Sequence, residues 1–155
     1  MLDRFASRET GAAGEVTMTD KKALAGKRVL VVEDDFFLAD TVVRGLEESG
    51  VEVVGPVGDI DDALELIDET DHLDAVVLDL NLKGDLSYPV AELLFQRKIP
   101  FVVCTGYNTT DMPLAVRTAL ALSKPVESKR LTAAVAKCMG PVGRMETARS
   151  DNLNG

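Results

Sequence analysis

A chain of 155 residues is the size of one domain rather than two, and it is long enough to bury a hydrophobic core. Apolar residues make up 46% and charged residues 28%, a balance that excludes a fibrous or wholly disordered chain. The net charge of −9 argues against nucleic acid or anionic membrane as a partner, because binding either needs a cationic face.

Residues 1–26 mix Gly, Ala, Thr and charge without a sustained period, and are expected to form a flexible N-terminal extension. Met18 heads a shorter plausible start. The domain proper is expected over residues 27–140. Its first strand runs from Arg28 to Val32, a β-branched apolar run. A helix follows over about 36–49 and ends at Gly50, a residue suited to the helix C′ position. Val51–Val54 is the second expected strand, closed by Gly55-Pro56. Asp59 has the character of an N-cap. Behind it Ile60, Ala63, Leu64 and Ile67 share one helix face. Ala75–Leu78 is a third strand. A helix over about 87–97 carries Pro89 in its first turn, where a missing N–H costs little. Phe101–Cys104 is a fourth strand, and a short helix begins near Asp111. Ala119–Leu122 is a fifth strand. The last helix places Leu131, Val135, Cys138 and Met139 on one face and stops at Gly140-Pro141. Residues 141–155 are polar and aperiodic, and are expected to be a flexible C-terminal tail.

Five β–α repeats imply an α/β fold, a five-stranded parallel sheet with five helices on its two faces, doubly wound in the flavodoxin-like manner. Right-handed crossovers bring every strand C-terminus to one edge, where ligands bind in such sheets. Glu33, Asp34 and Asp35 follow strand one, Asp79 follows strand three, Thr105 strand four and Lys124 strand five. The edge therefore gathers acids, a hydroxyl and an amine. Two carboxylates about 5 Å apart repel by roughly 3 kcal/mol at an effective dielectric near 20. Such a cluster raises a carboxyl pKa or recruits a cation. With oxygen ligands and no nearby His or Cys, the cation expected is Mg²⁺ before Ca²⁺. A carboxylate so placed can act as a nucleophile toward phosphorus and form an aspartyl phosphate.

The runs VLVVEDD at 29–35, VVLDLN at 76–81, VVCTGY at 102–107 and SKP at 123–125 resemble the four signatures of response-regulator receiver domains. The resemblance covers residues 27–139 and rests on four motifs in order rather than on any one. It implies a two-component phosphorelay in which Asp79 is the phosphoacceptor. It further implies that Asp34 and Asp79 ligate Mg²⁺, with Glu33 acting through water and Asn81 through its carbonyl. Thr105 and Lys124 would contact the phosphoryl group, and the Lys124–Pro125 bond is expected to be cis.

Two departures bear on the subtype. The Met-Pro common after the acceptor is absent from DLNLKGDLSYPVAELL, and Ala121 stands where many receivers carry a switch aromatic. Instead Thr105 is followed by Gly106 and Tyr107. This resembles the alphaproteobacterial receivers with a Phe-Ala-Thr-Gly-type motif, and it implies that the Gly106–Tyr107 loop takes over part of the switch.

Bland roles account for several other residues. Glu33 and Asp34 can also serve the positive end of the following helix dipole, and Asp35 reads as a solvated acid. His72 is expected to be exposed, and Gly55–Gly58 lacks the Lys-Ser/Thr of a phosphate loop. Cys104 and Cys138 are expected to be free thiols, which with the lack of a signal-peptide pattern favours the cytoplasm. The expected function is a stand-alone response regulator, not a turnover enzyme. Its expected partners are a histidine kinase or histidine phosphotransfer protein and an unnamed downstream protein. The competing readings are a pseudo-receiver binding module and a magnesium-dependent aspartyl-phosphate phosphatase. The latter needs an acid two residues after the nucleophile, where this chain has Asn81.

Overall fold

A computed structural model describes residues 15–140. Residues 1–14 of the expected extension and the expected tail at 141–155 lie outside the described residues. In chain order the elements are α1 (Met18–Leu24), β1 (Arg28–Val32), α2 (Phe36–Glu48), β2 (Glu52–Val57), α3 (Ile60–Glu69) and β3 (Ala75–Asp79). They continue with β4 (Asn81–Leu82), β5 (Asp85–Leu86), α4 (Tyr88–Gln96), β6 (Phe101–Thr105), α5 (Leu114–Arg117), β7 (Leu120–Ser123) and α6 (Ser128–Met139). Five strands pair in parallel in the order β2-β1-β3-β6-β7. The expected doubly wound sheet is therefore present, with six helices among the described residues rather than five.

Side-chain alternation along the strands divides the interior into two cores. Leu30, Val32, Val76, Leu78 and Val103 face a layer that includes Ile67 of α3 and Leu94 of α4. Val29, Val31, Val77, Val102 and Cys104 face Leu46 of α2 and Leu131 and Val135 of α6. The central strands β3 and β6 are buried along their whole length, which is why they read as unbroken apolar runs.

The additional helix, α1, corrects the reading of a loose extension for the described residues 15–26. Thr17 and Asp20 form a reciprocal capping box, with Thr17 Oγ1 accepting from Asp20 N at 3.0 Å and Asp20 Oδ2 accepting from Thr17 N at 3.0 Å. Leu24 at its end is fully buried in the α2/α6 core. One apolar anchor in seven residues is too little periodicity to mark a helix in the sequence, whereas the packed neighbours supply what propensity does not.

Two further details differ from expectation. The second strand does not stop at Gly55-Pro56 but runs through it to Val57, with the register slipping from Leu30↔Val54 to Val32↔Val57. An edge strand tolerates proline because one side of its ladder is unpaired. The helix expected from Asp111 is reduced to a single turn at Leu114–Arg117, entered through an extended Pro113. After β3, the antiparallel pair β4–β5 forms a small hairpin whose turn residues Lys83 and Gly84 both have positive φ, 54° and 90°.

Candidate functional site

The C-terminal edge of the sheet opens into a crevice of about 410 Å³. Glu33, Asp34, Asp79, Asn81, Thr105 and Lys124 line it together with Asp35, Leu38, Gly106 and Tyr107. Every residue assigned to the site from the sequence is therefore brought to one place. Each arrives there because it ends a parallel strand or begins the loop behind it.

Asp79 forms the floor at the end of the central strand and is 2% exposed. Lys124 reaches it from the loop after β7, Nζ lying 2.9 Å from Oδ1 and 2.9 Å from Oδ2. The Lys124 backbone N–H donates to Thr105 O at 2.9 Å, which ties the two neighbouring loops together. The Lys124–Pro125 bond is cis, as expected. Asn81 N donates a third hydrogen bond to Asp79 Oδ1 at 2.9 Å. The Asn81 side chain is otherwise engaged, its Oδ1 accepting from Gly84 N at 3.0 Å inside the hairpin.

Glu33, Asp34 and Asp79 each place a carboxylate oxygen within 4.8 Å of the others. Burial raises the Glu33 carboxyl to about 7, with the neighbouring Asp79 pushing the same way and the Asp35 N–H opposing. Burial works against the Lys124 ammonium. The hydrogen bonds and charge of Asp79, with Glu33 behind it, outweigh that burial and hold Lys124 above the usual lysine range. Asp34 Oδ2 accepts from Lys83 N at 2.9 Å, so the hairpin turn orients one of the three acids. This all-oxygen donor set suits a hard divalent cation.

Thr105 is 4% exposed, and its Oγ1 accepts from Tyr107 N at 2.9 Å. That bond folds the loop back on itself and leaves the hydroxyl hydrogen free to donate elsewhere. Tyr107 itself is 59% exposed. Asp35, expected to be a solvated acid, is the N-cap of α2, with Oδ1 accepting from Leu38 N at 3.1 Å. His72 is exposed as expected and pairs with Asp74 at 2.8 Å.

Sequence reasoning did not single out Lys83, Leu38 or Ser87 for the site. Gly84 alone favours a turn, and strands of two residues on either side are too short to mark a hairpin in the sequence. Ser87 before Tyr88-Pro89 gives no sign in the sequence of its actual hydrogen bonds.

A parallel sheet whose C-terminal edge gathers three carboxylates, a threonine hydroxyl and a lysine paired with the buried one of those carboxylates has the architecture of a receiver module. The family model described as the response regulator receiver domain matches residues 29–136, and the chain belongs to that family. Among curated proteins it is 32% identical over 106 residues to the transcriptional regulatory protein PdtaR of Mycobacterium tuberculosis. That match covers 68% of this chain and 51% of the relative, so the chain spans about half the length of the curated relatives it matches. Among solved structures, SdrG from Sphingomonas melonis Fr1 is 34% identical with a TM-score of 0.61, covering 72% of this chain and 94% of that one. A response regulator from Burkholderia pseudomallei, solved with a phosphorylated aspartic acid, calcium ion and citrate, is 26% identical with a TM-score of 0.61. That match covers 83% of this chain and 75% of that one. No helix among the described residues is long and apolar enough to cross a membrane.

Proposed function

We propose that this receiver domain is a phosphoacceptor switch of a two-component phosphorelay, with Asp79 as the acceptor. The observation that carries the reading is the Lys124 ammonium at 2.9 Å from both oxygens of a carboxylate only 2% exposed. An amine fixed there is placed to neutralise the equatorial oxygens of a phosphoryl group in transfer. The Burkholderia pseudomallei regulator, with its phosphorylated aspartic acid, supports the same role by analogy.

In the proposed step Asp79 Oδ2 attacks the phosphorus of a phosphorylated imidazole presented by a histidine kinase or histidine phosphotransfer protein. The Oδ2–P bond forms and the P–N bond breaks. The imidazole nitrogen keeps that electron pair and takes a proton from water. Oδ2 is the freer oxygen, because Lys124 is its one protein donor whereas Oδ1 also accepts from Asn81 N. Mg²⁺ held by Glu33, Asp34, Asp79 and the Asn81 carbonyl would supply further charge neutralisation. Thr105 can turn its free hydroxyl hydrogen toward a phosphoryl oxygen.

Drawing the Thr105 side chain toward a bound phosphoryl group would pull its Oγ1 away from Tyr107 N, so the loop that begins at Gly106 and Tyr107 would carry the change outward. Ala121 on β7 is exposed and offers no ring to share that task. The altered loop then signals to a downstream protein. The free thiols Cys104 and Cys138 fit a cytoplasmic setting. Turnover chemistry is disfavoured, because Asn81 is neutral and already tied to Gly84, so it cannot serve as a phosphatase's general acid. A pseudo-receiver would not need the intact acid, lysine and threonine set.

The test incubates wild type and Asp79→Asn with Mg²⁺ and acetyl phosphate and follows covalent phosphate. Wild type alone should carry a labile adduct. No adduct on wild type would favour a binding module, and repeated rapid turnover of a phosphomonoester would favour the phosphatase.

A further inference from the structure

Ser87 is fully buried, and its hydroxyl donates to the backbone carbonyl of Asp79 at 2.7 Å. The pairing of β3 with β1 ends one residue before Asp79, at Val32 with Leu78. The carbonyl therefore lies past that ladder, and Ser87 supplies its donor. Ser87 N also donates to Leu80 O at 2.8 Å. Two hydrogen bonds from one residue thus close the base of the loop that holds Asn81 and the β4–β5 hairpin.

The position makes this choice unusual. Ser87 is the N-cap of α4, yet its side chain makes no cap hydrogen bond. Its hydroxyl oxygen accepts no N–H of the first helical turn, and its hydroxyl hydrogen is directed instead to the acceptor's backbone carbonyl. Its carbonyl meanwhile accepts from Val90 N at 3.0 Å and Ala91 N at 3.2 Å. Ser87 is thereby a rigid joint between α4 and the residues that contact the Asp79 carboxylate.

We propose that Ser87 is a positioning residue for the Asp79 centre. Its hydroxyl sets the backbone from Asp79 to Asn81, so that the Asp79 carboxylate and the Asn81 carbonyl meet a divalent cation together. This rests on the reading of Glu33, Asp34, Asp79 and Asn81 as cation ligands. Ser87 touches neither the cation nor the phosphoryl group. It acts as outer hydrogen-bond partners of metal ligands do, by holding ligand orientation.

The measurement is Mg²⁺ affinity by calorimetric titration, with amide spectra of residues 79–81, on the whole protein. Ser87→Ala should weaken Mg²⁺ binding about tenfold and move the Asn81 amide. Ile67→Val, buried in the α3 layer away from the crevice, controls for lost stability and should leave both readouts at wild-type values. Ser87→Cys keeps a weak donor of similar volume and should lose less affinity than Ser87→Ala; it decides the matter should the alanine variant not fold. Wild-type affinity in a folded Ser87→Ala, or in Ser87→Cys should Ser87→Ala not fold, overturns the proposal. Equal losses in Ile67→Val overturn it too, because the effect would then be one of stability. Wild type that takes up no Mg²⁺ overturns the ligand assignment itself, and this inference with it.

Discussion

Glu33 illustrates how one side chain carries opposed demands. Its carboxyl titrates near 7 in the folded chain against an ordinary value of 4.5, chiefly because it is buried, with Asp79 adding repulsion. Between those values the folded chain holds more protons than the unfolded chain, so metal-free stability falls as pH rises through that window. Urea unfolding in EDTA should show wild type losing more stability than Glu33→Gln between about pH 5 and about pH 8. Equal pH dependence in the two proteins would remove Glu33 as the source. A bound cation reverses the preference, since it favours the carboxylate. Asp34 and Asn81 show a related economy: each is held by a backbone N–H from the Lys83–Gly84 turn, so the acid cluster is partly preorganised by its own loop.

At the scale of elements, α1 adds a piece outside the matched family region that the core nevertheless uses. Leu24 is 0% exposed and packs with Leu46 and Val135. Leu24→Ala is expected to cost about 2–5 kcal/mol, the usual range for emptying a buried leucine site. The check is a lowered denaturation midpoint at unchanged slope, and a shift under about 0.5 kcal/mol would show that α1 is dispensable to the fold. The joint between α1 and the second repeat is tight. Gly26 N donates to Gly50 O at 2.8 Å, and a Cβ on Gly50, whose φ is +88°, would lie 3.2 Å from Ala25 Cα. Gly50 is thus needed both as a left-handed helix terminus and as a surface for α1.

Across the whole molecule, the loop after β6 joins the crevice to the surface, with Thr105 buried at the site and Tyr107 59% exposed, and the proposed switch would leave by that loop. Saturation with a phosphomimic should therefore shift the amide signals of residues 105–112, and unchanged signals there would rule out this exit route. The sheet and its edge were legible beforehand, because strands buried on both faces must be continuous apolar runs and parallel strands must end together. That alone gathered Glu33, Asp34, Asp79, Thr105 and Lys124. Less was legible where local pattern and tertiary context disagree. β2 crosses Gly55-Pro56 because it is an edge strand with a register slip. α1 exists because α2 and α6 offer Leu24 a pocket. Asp35 is exposed, as expected of a solvated acid, but only the direction of α2 made it the cap. Ser87 drew no notice in the sequence, because only packing turns its hydroxyl to the Asp79 carbonyl. By itself the sequence determined the fold class and the chemistry of the site, since these follow from periodicity and residue type. Only the tertiary structure decided which polar groups meet which, because hydrogen-bond partners separated along the chain are set by how the layers pack.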